Sequence, residues 1–260
     1  MASFENLTAA CGPPNHPTIL PPRVVNIICM KWGTKFGPEY VNRLHSMVSR
    51  HLARPHRFIC FTDDGSSLNP AIHALPLPTM YLPEGKERGW RKLSTFTAPL
   101  ADLQGPILFL DLDLVIMDSI DCFFDYPGQF CIIKDWAKPW RITGNSSVYR
   151  FEANAHPDIF AYFLANIDQV KREVRNEQEY LTREMHKQGR LTYWPKDWCV
   201  SFKHSCLPIF PLNLFMVPKK PKAKIIVFHG IPNPEEAMAG RGKNFFRQVK
   251  PTPWIAEYWK

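Results

Sequence analysis

The sequence predicts an α/β fold in which a single, mostly parallel central sheet is flanked by helices. The apolar run VVNIICM (24–30) is followed by a helical pattern and then by a second apolar run, RFICFTDDG (57–65). Strand, helix, strand in this order is the right-handed crossover unit of parallel sheets. A third apolar run, KIIVFHG (224–230), adds a late strand that ends on His229. At 260 residues the chain can bury a substantial core.

The segments between these runs supply the remaining elements in order. EYVNRLHSMVSRHLAR (39–54) spaces its apolar residues as a helix does, with Pro38 near its start. A second helix is predicted over 86–103, interrupted by Pro99, and it leads into a strand at 107–110. QFCII (129–133) and SSVYRF (146–151) are short strand candidates.

Two further helices follow these strands. PDIFAYFLANIDQV (157–170) is amphipathic, with Pro157 at the favoured first turn. NEQEYLTREMHKQG (176–189) has Asn176 and Glu179 in capping-box spacing and Gly189 as its stop. The next segment, RLTYWPKDWCVSFKH, is aromatic and is expected to be a loop.

Composition limits the class of protein. Hydrophobic residues make up 45% of the chain and aromatic residues 13%, which indicates a globular protein. No apolar run approaches the ~20 residues that span a bilayer, and no secretory leader pattern opens the sequence. Seven cysteines without CxxC spacing favour reduced thiols and a cytoplasmic location over disulfides or zinc.

Charge and local composition divide the chain into three parts. We predict a Pro-rich N-terminal arm at 1–22, one α/β domain at 23–240 and a basic, aromatic C-terminal tail at 241–260. The formal net charge of +8 indicates an anionic partner or simply a solvated basic surface. No nucleic-acid motif accompanies the basic residues, so no nucleic-acid partner is expected. The tail alternates cations with large aromatic residues, which is typical of peripheral contact with a membrane face. Packing of its rings back onto the domain is the alternative.

The stretch ILFLDLDLVIMDS (107–119) holds the most informative pair of residues. Asp111 and Asp113 follow a fully apolar strand and stand two apart, so both carboxylates can point the same way. Oxygen ligands suit Mg²⁺ or Mn²⁺, which would in turn hold a diphosphate. Two solvated loop aspartates are the alternative for a motif this short.

Four other groups of residues could contribute chemistry, and each has a simpler structural explanation. His229 could join the two aspartates as a metal ligand or could be structural. Asn145 precedes a strand and could simply form a turn, whereas Glu179 could be only a helix cap. Arg88, Arg91 and Lys92 could neutralise phosphate or could form an exposed basic turn.

Taken in order, these motifs resemble the GT-A-type glycosyltransferases, and most closely the glycogenin and bacterial lipooligosaccharide galactosyltransferase group or a sister family. The resemblance covers about residues 24–235. It implies a GT-A-type fold and a Mn²⁺ or Mg²⁺ ion held by Asp111, Asp113 and His229. The family's Asn-Ala/Ser-Gly element falls on Asn145, Ser146 and Ser147, and its Asp-Gln-Asp element falls on Glu177, Gln178 and Glu179. Its basic residue before the metal motif falls on Arg91 or Lys92.

The function implied by this resemblance is transfer of a sugar from a nucleoside-diphosphate sugar, expected to be a UDP-sugar, to a hydroxyl acceptor. The acceptor class would be a glycan or a lipid-linked saccharide, and the group retains anomeric configuration. Gln178 would face the donor sugar, while Glu177 or Glu179 would supply a base if the chemistry were inverting. Two features depart from the family: Glu replaces both Asp of Asp-Gln-Asp, and HGIPNP lacks the Lys-Pro-Trp that follows the family histidine.

Two other functions compete with this interpretation. FLDLDLV matches the motif of haloacid-dehalogenase-type phosphatases, in which Asp111 would be the nucleophile and Asp113 the general acid. That fold places this strand first, whereas here two crossover units precede it. A basic, non-enzymatic binding protein would explain the charge but not the acidic residues at strand ends.

Overall fold

The computed structural model describes residues 24–260, so the predicted arm at 1–22 lies outside the described residues. A seven-stranded sheet forms its centre, and a three-stranded sheet lies beside it. Four of the six strand pairs in the larger sheet are parallel. The prediction of a mostly parallel central sheet with flanking helices is therefore confirmed.

Ten strands make up the two sheets. The larger sheet has the order β3-β2-β1-β4-β7-β6-β8 and the smaller has the order β5-β10-β9. The strands of the larger sheet are β1 (Val25–Lys31), β2 (His56–Thr62), β3 (His73–Pro76), β4 (Pro106–Leu110), β6 (Phe130–Lys134), β7 (Gly144–Glu152) and β8 (Leu191–Tyr193). Those of the smaller sheet are β5 (Leu114–Ile116), β9 (Cys199–Ser201) and β10 (Ile225–Val227).

Six α-helices connect these strands within residues 24–260. They are α1 (Pro38–His51), α2 (Cys122–Asp125), α3 (Pro157–Ala165), α4 (Ile167–Glu173), α5 (Glu177–Lys187) and α6 (Pro234–Met238). The amphipathic segment after Pro157 is thus two helices, because the chain leaves helical geometry at Asn166. The aromatic segment predicted as a loop contributes the short strands β8 and β9, so that prediction was wrong.

The helix predicted over 86–103 was also wrong. Only a 3-10 helix, Trp90–Phe96, forms there. It starts from Gly89 in the left-handed region and ends where Thr97 becomes extended, two residues before Pro99. The hydroxyls of Ser94 and Thr95 each donate 2.8 Å hydrogen bonds to the carbonyl oxygen three residues earlier, which favours tight turns over an α-helix.

The side chains of the central strands alternate between two apolar cores. In β1, Ile27 and Cys29 face the core that contains α1 and the smaller sheet, while Ile28 and Met30 face the core of α3, α5 and the 3-10 helix. All seven residues of β1 are buried, as the continuous apolar run predicted. The carboxyl ends of β1 and β4 are consequently fixed by packing from both faces.

Residues 24–260 contain six cysteines and no disulfide bond. The six cysteines of this part are free thiols, and five of them are buried. No helix in the same range is long and apolar enough to cross a membrane.

The two halves of the predicted C-terminal tail, 241–260, differ in burial. Val249, Ile255 and Trp259 are buried in the α1-side core. The Arg50 guanidinium donates to the carbonyl oxygens of Tyr258 and Lys260, which ties the end of the chain to α1. Phe245 and Phe246 are exposed instead. The structure therefore divides the tail into an exposed first part and a packed second part.

A buried arginine fixes the chain between β5 and β6. Arg150 of β7 is buried, and its guanidinium donates to four backbone carbonyls, with the bond to Tyr126 at 2.8 Å. The other acceptors are Phe123, Phe124 and Gly128. The Arg150 side chain thus supplies the hydrogen-bond donors for four backbone carbonyls of this loop, which would otherwise lack them.

We expect Arg150→Ala to lower the free energy of unfolding by about 3 kcal/mol, because the buried carbonyls lose their donor. Chemical denaturation measures the change. Arg57→Ala is the matched control, since Arg57 pairs with Asp102 at the surface and should cost no more than about 1 kcal/mol. Equal losses in the two variants would show that the Arg150 bonds do not hold the loop.

Candidate active site

Asp111, Leu112 and Asp113 form the junction between the two sheets, since β4 ends at Leu110 and β5 begins at Leu114. The Asp111 amide donates to the Ser147 carbonyl at 2.9 Å, and the Asp113 carbonyl accepts from the Phe228 amide at 2.9 Å. The Leu112 side chain is buried between them in the α1-side core. Backbone bonds from both sheets therefore fix the position of the two aspartates.

A cleft of about 440 Å³ opens beside this junction. It lies outside the carboxyl ends of β1 and β4, where the strand order reverses direction, and that is the usual ligand position in open α/β sheets. Its charged lining consists of Lys31, Lys35, Glu87, Arg88, Lys92, Asp111 and Asp113. Four cations and three carboxylates in one cleft suit a ligand that carries phosphate together with a metal ion.

Lys92 is the cation closest to the aspartate pair. Its Nζ lies 2.6 Å from Oδ1 of Asp111 and 2.7 Å from Oδ2. Burial lowers the pKa of Lys92, but the carboxylates of Asp111 and Glu177 outweigh that effect and raise it. Lys92 is therefore held as a cation inside the cleft, in direct contact with Asp111.

Asp113 has a different environment. It is buried, and among the described residues no other residue forms a hydrogen bond or an ion pair with its carboxyl group. Burial and then the neighbouring Asp111 raise the pKa of Asp113 to about 7. An oxygen donor without a protein partner, beside a second carboxylate, suits a hard divalent cation. The two aspartates therefore fit the predicted metal.

His229 does not join the aspartates as a third ligand in this structure. Its Nε2 lies 2.7 Å from the Ser201 hydroxyl, and its ring stacks between Trp136 and His204. Burial, and then Lys203 and His204, lower the pKa of His229 to about 4, so the imidazole is neutral. Within residues 24–260, no three His, Cys, Asp or Glu side chains are grouped as metal ligands.

Glu177 lies deeper in the same site. Its carboxylate accepts a hydrogen bond from the Ser146 hydroxyl, and both residues are buried. Burial raises the pKa of Glu177 to about 7, although Lys92 and Ser146 act in the opposite direction. Gly89 makes room for it: a Cβ there would meet the carboxylate at 2.8 Å, and the backbone φ of +81° also favours glycine.

The other predicted residues of α5 occupy its first turn. Glu179 accepts from the Arg175 amide at 3.0 Å, and its carboxylate also pairs with the Arg175 and Lys138 side chains. Burial opposes ionisation of Glu179, but these donors lower its pKa to about 2. Gln178 is half-buried, and its amide group forms no hydrogen bond with another described residue. Of these two neighbours, only Gln178 is free to contact a ligand.

Asn145, Ser147 and Arg91 complete the set of predicted residues. The Asn145 side chain accepts from the Ser147 amide at 3.1 Å, which orders the start of β7 beside Ser146. Arg91 is not among the residues that line the cleft, and its Nε is buried without a partner in the described chain. The structure therefore places Lys92, not Arg91, against the aspartate pair.

Another cavity, of about 320 Å³, lies beside the residues that stack on His229. Trp136 and His204, whose rings stack on His229, are among its lining residues together with Trp194, Lys134 and Asp135. Aromatic faces flanked by polar groups are typical of small-molecule sites. This cavity therefore borders the residues that pack against His229.

Basic residues also collect near His229. The Lys203 ammonium donates to the His229 carbonyl. Burial lowers the pKa of Lys203, and Arg247 and Lys243 lower it further, so these two cations from the C-terminal segment lie within electrostatic reach. Lys203 belongs to a π-helical turn, Phe202–Cys206, of the kind often found at functional sites.

Sequence reasoning did not select Lys31 and Lys35, although both line the cleft. Their signal was present in MKWGTKFG, because two lysines directly follow the first buried strand of a parallel sheet. Lys203 carried no comparable signal, since its position beside His229 depends on the pairing of β9 with β10.

The fold is of the GT-A type, and comparison with solved structures finds glycosyltransferases that share it. The chain is similar to the galactosyltransferase LgtC in complex with donor and acceptor sugar analogues, with a TM-score of 0.55 and 13% identity over 80% of this chain and 88% of that chain. An active-site mutant of LgtC gives 0.57 at 13% identity, covering 80% and 89%. The predicted fold class is confirmed.

A third neighbour is the glycosyltransferase GlyE of Streptococcus pneumoniae in its apo form. It gives a TM-score of 0.54 at 11% identity over 80% of this chain, which spans 55% of the GlyE chain. No family model matches the sequence, and no curated protein matches it. The predicted phosphatase and the non-enzymatic binding protein are not favoured by these neighbours.

Glu177→Gln should stabilise the protein at pH 8 by about 4 kcal/mol and leave it unchanged near pH 4. The folded Glu177 holds its proton up to about pH 7, whereas an unfolded glutamate releases it near pH ~4.3, so the wild-type free energy of unfolding falls as pH rises between these values. Glutamine does not titrate. Denaturation at a series of pH values, with Glu84→Gln as an exposed control, measures the difference. A constant difference between Glu177→Gln and wild type across this range would contradict the assigned protonation of Glu177.

Proposed function

We propose that this protein is a metal-dependent glycosyltransferase that moves a sugar from a nucleoside-diphosphate sugar, a UDP-sugar by preference, to a hydroxyl of a saccharide acceptor. The observation that carries the proposal is the cationic cleft at the strand-order reversal, with Asp111 and Asp113 at its base. That combination of cations and carboxylates suits a ligand that carries phosphate and binds together with a metal ion. The glycosyltransferase neighbours support the same reaction class.

The donor would bind with its diphosphate in the charged cleft. Asp111 and Asp113 would hold Mn²⁺ or Mg²⁺ through oxygen, and such an ion supplies electrostatic stabilisation of the leaving diphosphate. Lys92 pairs with Asp111 and adds fixed positive charge within the cleft. Lys31 and Lys35 add further positive charge at the end of β1. Preorganised charge of this kind needs no rearrangement when the bond to phosphate breaks.

The acceptor would bind in the aromatic cavity beyond His229. Trp136 offers a ring face for the C–H surface of a sugar, and Lys134 and Asp135 offer groups that can bond its hydroxyls. The acceptor class is a glycan or a lipid-linked saccharide. His229 stacks on Trp136 of this cavity and follows Phe228, whose amide bonds to Asp113, so a donor and an acceptor would meet near His229.

We propose retention of anomeric configuration at the sugar. An inverting reaction needs a carboxylate base that faces the acceptor. Glu179 is a poor base, because its donors hold its pKa at about 2, and Glu177 is buried against Ser146. Gln178 is the residue of this helix turn that is free to contact the donor sugar.

The metal part of the proposal predicts that UDP binding by the wild-type protein weakens by at least about tenfold when Mn²⁺ is chelated. Asp113→Ala should bind UDP weakly with or without Mn²⁺, because one of the two oxygen ligands is lost. Isothermal calorimetry measures both affinities. Asp197→Ala, at an exposed position, is the control and should behave as wild type. UDP affinity of the wild type that is insensitive to chelation would refute the metal site.

The role of Gln178 predicts a separation of turnover from affinity. Gln178→Ala should lower kcat by about tenfold or more and leave the UDP Kd within about twofold, because only contacts to the sugar are lost. Gln188→Ala at the other end of α5 is the matched control and should change neither value. Equal losses of kcat and UDP affinity would place Gln178 at the nucleotide and not at the sugar.

A further inference from the structure

Exposed apolar side chains are concentrated in one part of the surface. Of the fifteen large hydrophobic residues that are exposed in the described chain, eight lie in two short segments, 209–217 and 245–246. They are Ile209, Phe210, Leu212, Phe215, Met216, Val217, Phe245 and Phe246. We call these eight residues the aromatic surface. Exposed apolar residues clustered to this degree mark an interaction site.

The two segments form one rigid surface. The ring of Phe210 lies 5.9 Å from that of Phe245 and 5.2 Å from that of Phe246. Beneath them, the buried Asn213 amide donates to the carbonyls of Phe246 and Gln248 at 3.2 and 3.0 Å. The rings are therefore held outward by the fold, and a partner would not have to order them first.

Positive charge is concentrated in the chain segments that carry the aromatic surface. The stretches 202–224 and 239–256 contain nine lysines and arginines and no aspartate or glutamate. Lys224 pairs with Asp118 and Lys220 with Glu257. The other seven have no acidic partner within residues 24–260: Lys203, Lys219, Lys222, Arg241, Lys243, Arg247 and Lys250. A partner for this face must therefore be apolar at its centre and anionic around it.

The shape of the surface selects between two such partners. Ile209 and Phe215 are 79% and 76% exposed, so the apolar residues protrude and do not line a groove. Protruding aliphatic and aromatic side chains in basic segments match the interface of a bilayer, where apolar groups reach the acyl boundary and cations meet anionic head groups. A folded acidic protein would instead need a groove or a flat patch on this chain as its complementary face.

We propose that the aromatic surface docks the protein onto an anionic lipid bilayer. Lys243 and Arg247 belong to the same face and act electrostatically on Lys203 beside His229, so docking brings the aromatic cavity close to the head groups. It follows, and this clause rests on the proposed function, that the acceptor is a saccharide carried on a lipid. The docking itself does not depend on catalysis.

Sedimentation with vesicles tests the docking. The full-length protein should bind vesicles of phosphatidylcholine with about 30% phosphatidylglycerol at low salt, and at least about tenfold less to phosphatidylcholine alone or at 0.5 M salt. The double variant Phe245→Ser/Phe246→Ser should lose at least about tenfold in vesicle affinity, as should Ile209→Ser/Phe215→Ser. Thermal unfolding of both should match wild type, because the changed side chains are exposed.

A matched control uses exposed apolar residues outside the surface. Tyr162→Ser/Leu164→Ser changes two exposed positions on α3 and should leave vesicle binding unchanged. Failure of the wild type to bind anionic vesicles at low salt would overturn the proposal. A wild-type dimer that Phe245→Ser/Phe246→Ser converts to monomer, without vesicle binding, would instead assign the surface to a second copy of the chain.

The docking and the proposed reaction can fail separately. UDP affinity in the presence of Mn²⁺, measured on the Phe245→Ser/Phe246→Ser variant, should equal that of wild type. Loss of vesicle binding with unchanged UDP affinity supports docking as an independent function. Vesicle binding by a wild-type protein that does not bind UDP would leave the docking in place and remove the lipid-linked acceptor.

Discussion

The structure depends on the junction at Asp111–Leu112–Asp113, where one chain segment leaves the large sheet and enters the small one. Each sheet fixes its own side of the junction through a backbone bond, from Asp111 to Ser147 and from Phe228 to Asp113. Leu112 is buried, and the alternation of an extended chain then directs both carboxylates away from the core. The same junction brings β10, and with it His229, beside the cleft. The packing of Leu112 and the backbone bonds of the junction therefore also fix the geometry of the site.

The charges of the site are arranged at a cost to stability. Lys92 neutralises Asp111 and lies near Glu177, but Asp113 is buried and no cation of residues 24–260 forms an ion pair with it. Burying a carboxylate without a partner disfavours the folded state. A cation bound between the aspartates would remove that unfavourable energy, and the cation would bind more tightly as a result. The unfavourable charge thus supports a ligand-binding role, since sites commonly retain such groups where packing alone would exclude them.

The sequence predicted those parts of the structure that rest on local patterns. Continuous apolar runs identified β1, β2 and β4, and the spacing of Asp111 and Asp113 identified the junction. It failed where hydroxyl-to-backbone bonds replaced an α-helix at Trp90–Phe96, and where three-residue strands such as β9 obtain their stability only by pairing. Lys203 and Ser201 reach His229 through that pairing, so their contacts could not be predicted from their place in the chain.

The missing Lys-Pro-Trp after His229 has a structural counterpart in this fold. HGIPNP carries no lysine, but the π-helical turn after β9 brings Lys203 to the His229 carbonyl, and the segment before the packed tail brings Lys243 and Arg247 near it. Positive charge beside His229 is thus supplied by two other segments of the chain. Because one of those segments also carries Phe245 and Phe246, the cations of the site and the exposed rings share a backbone. A change that moves this segment must alter both surfaces together.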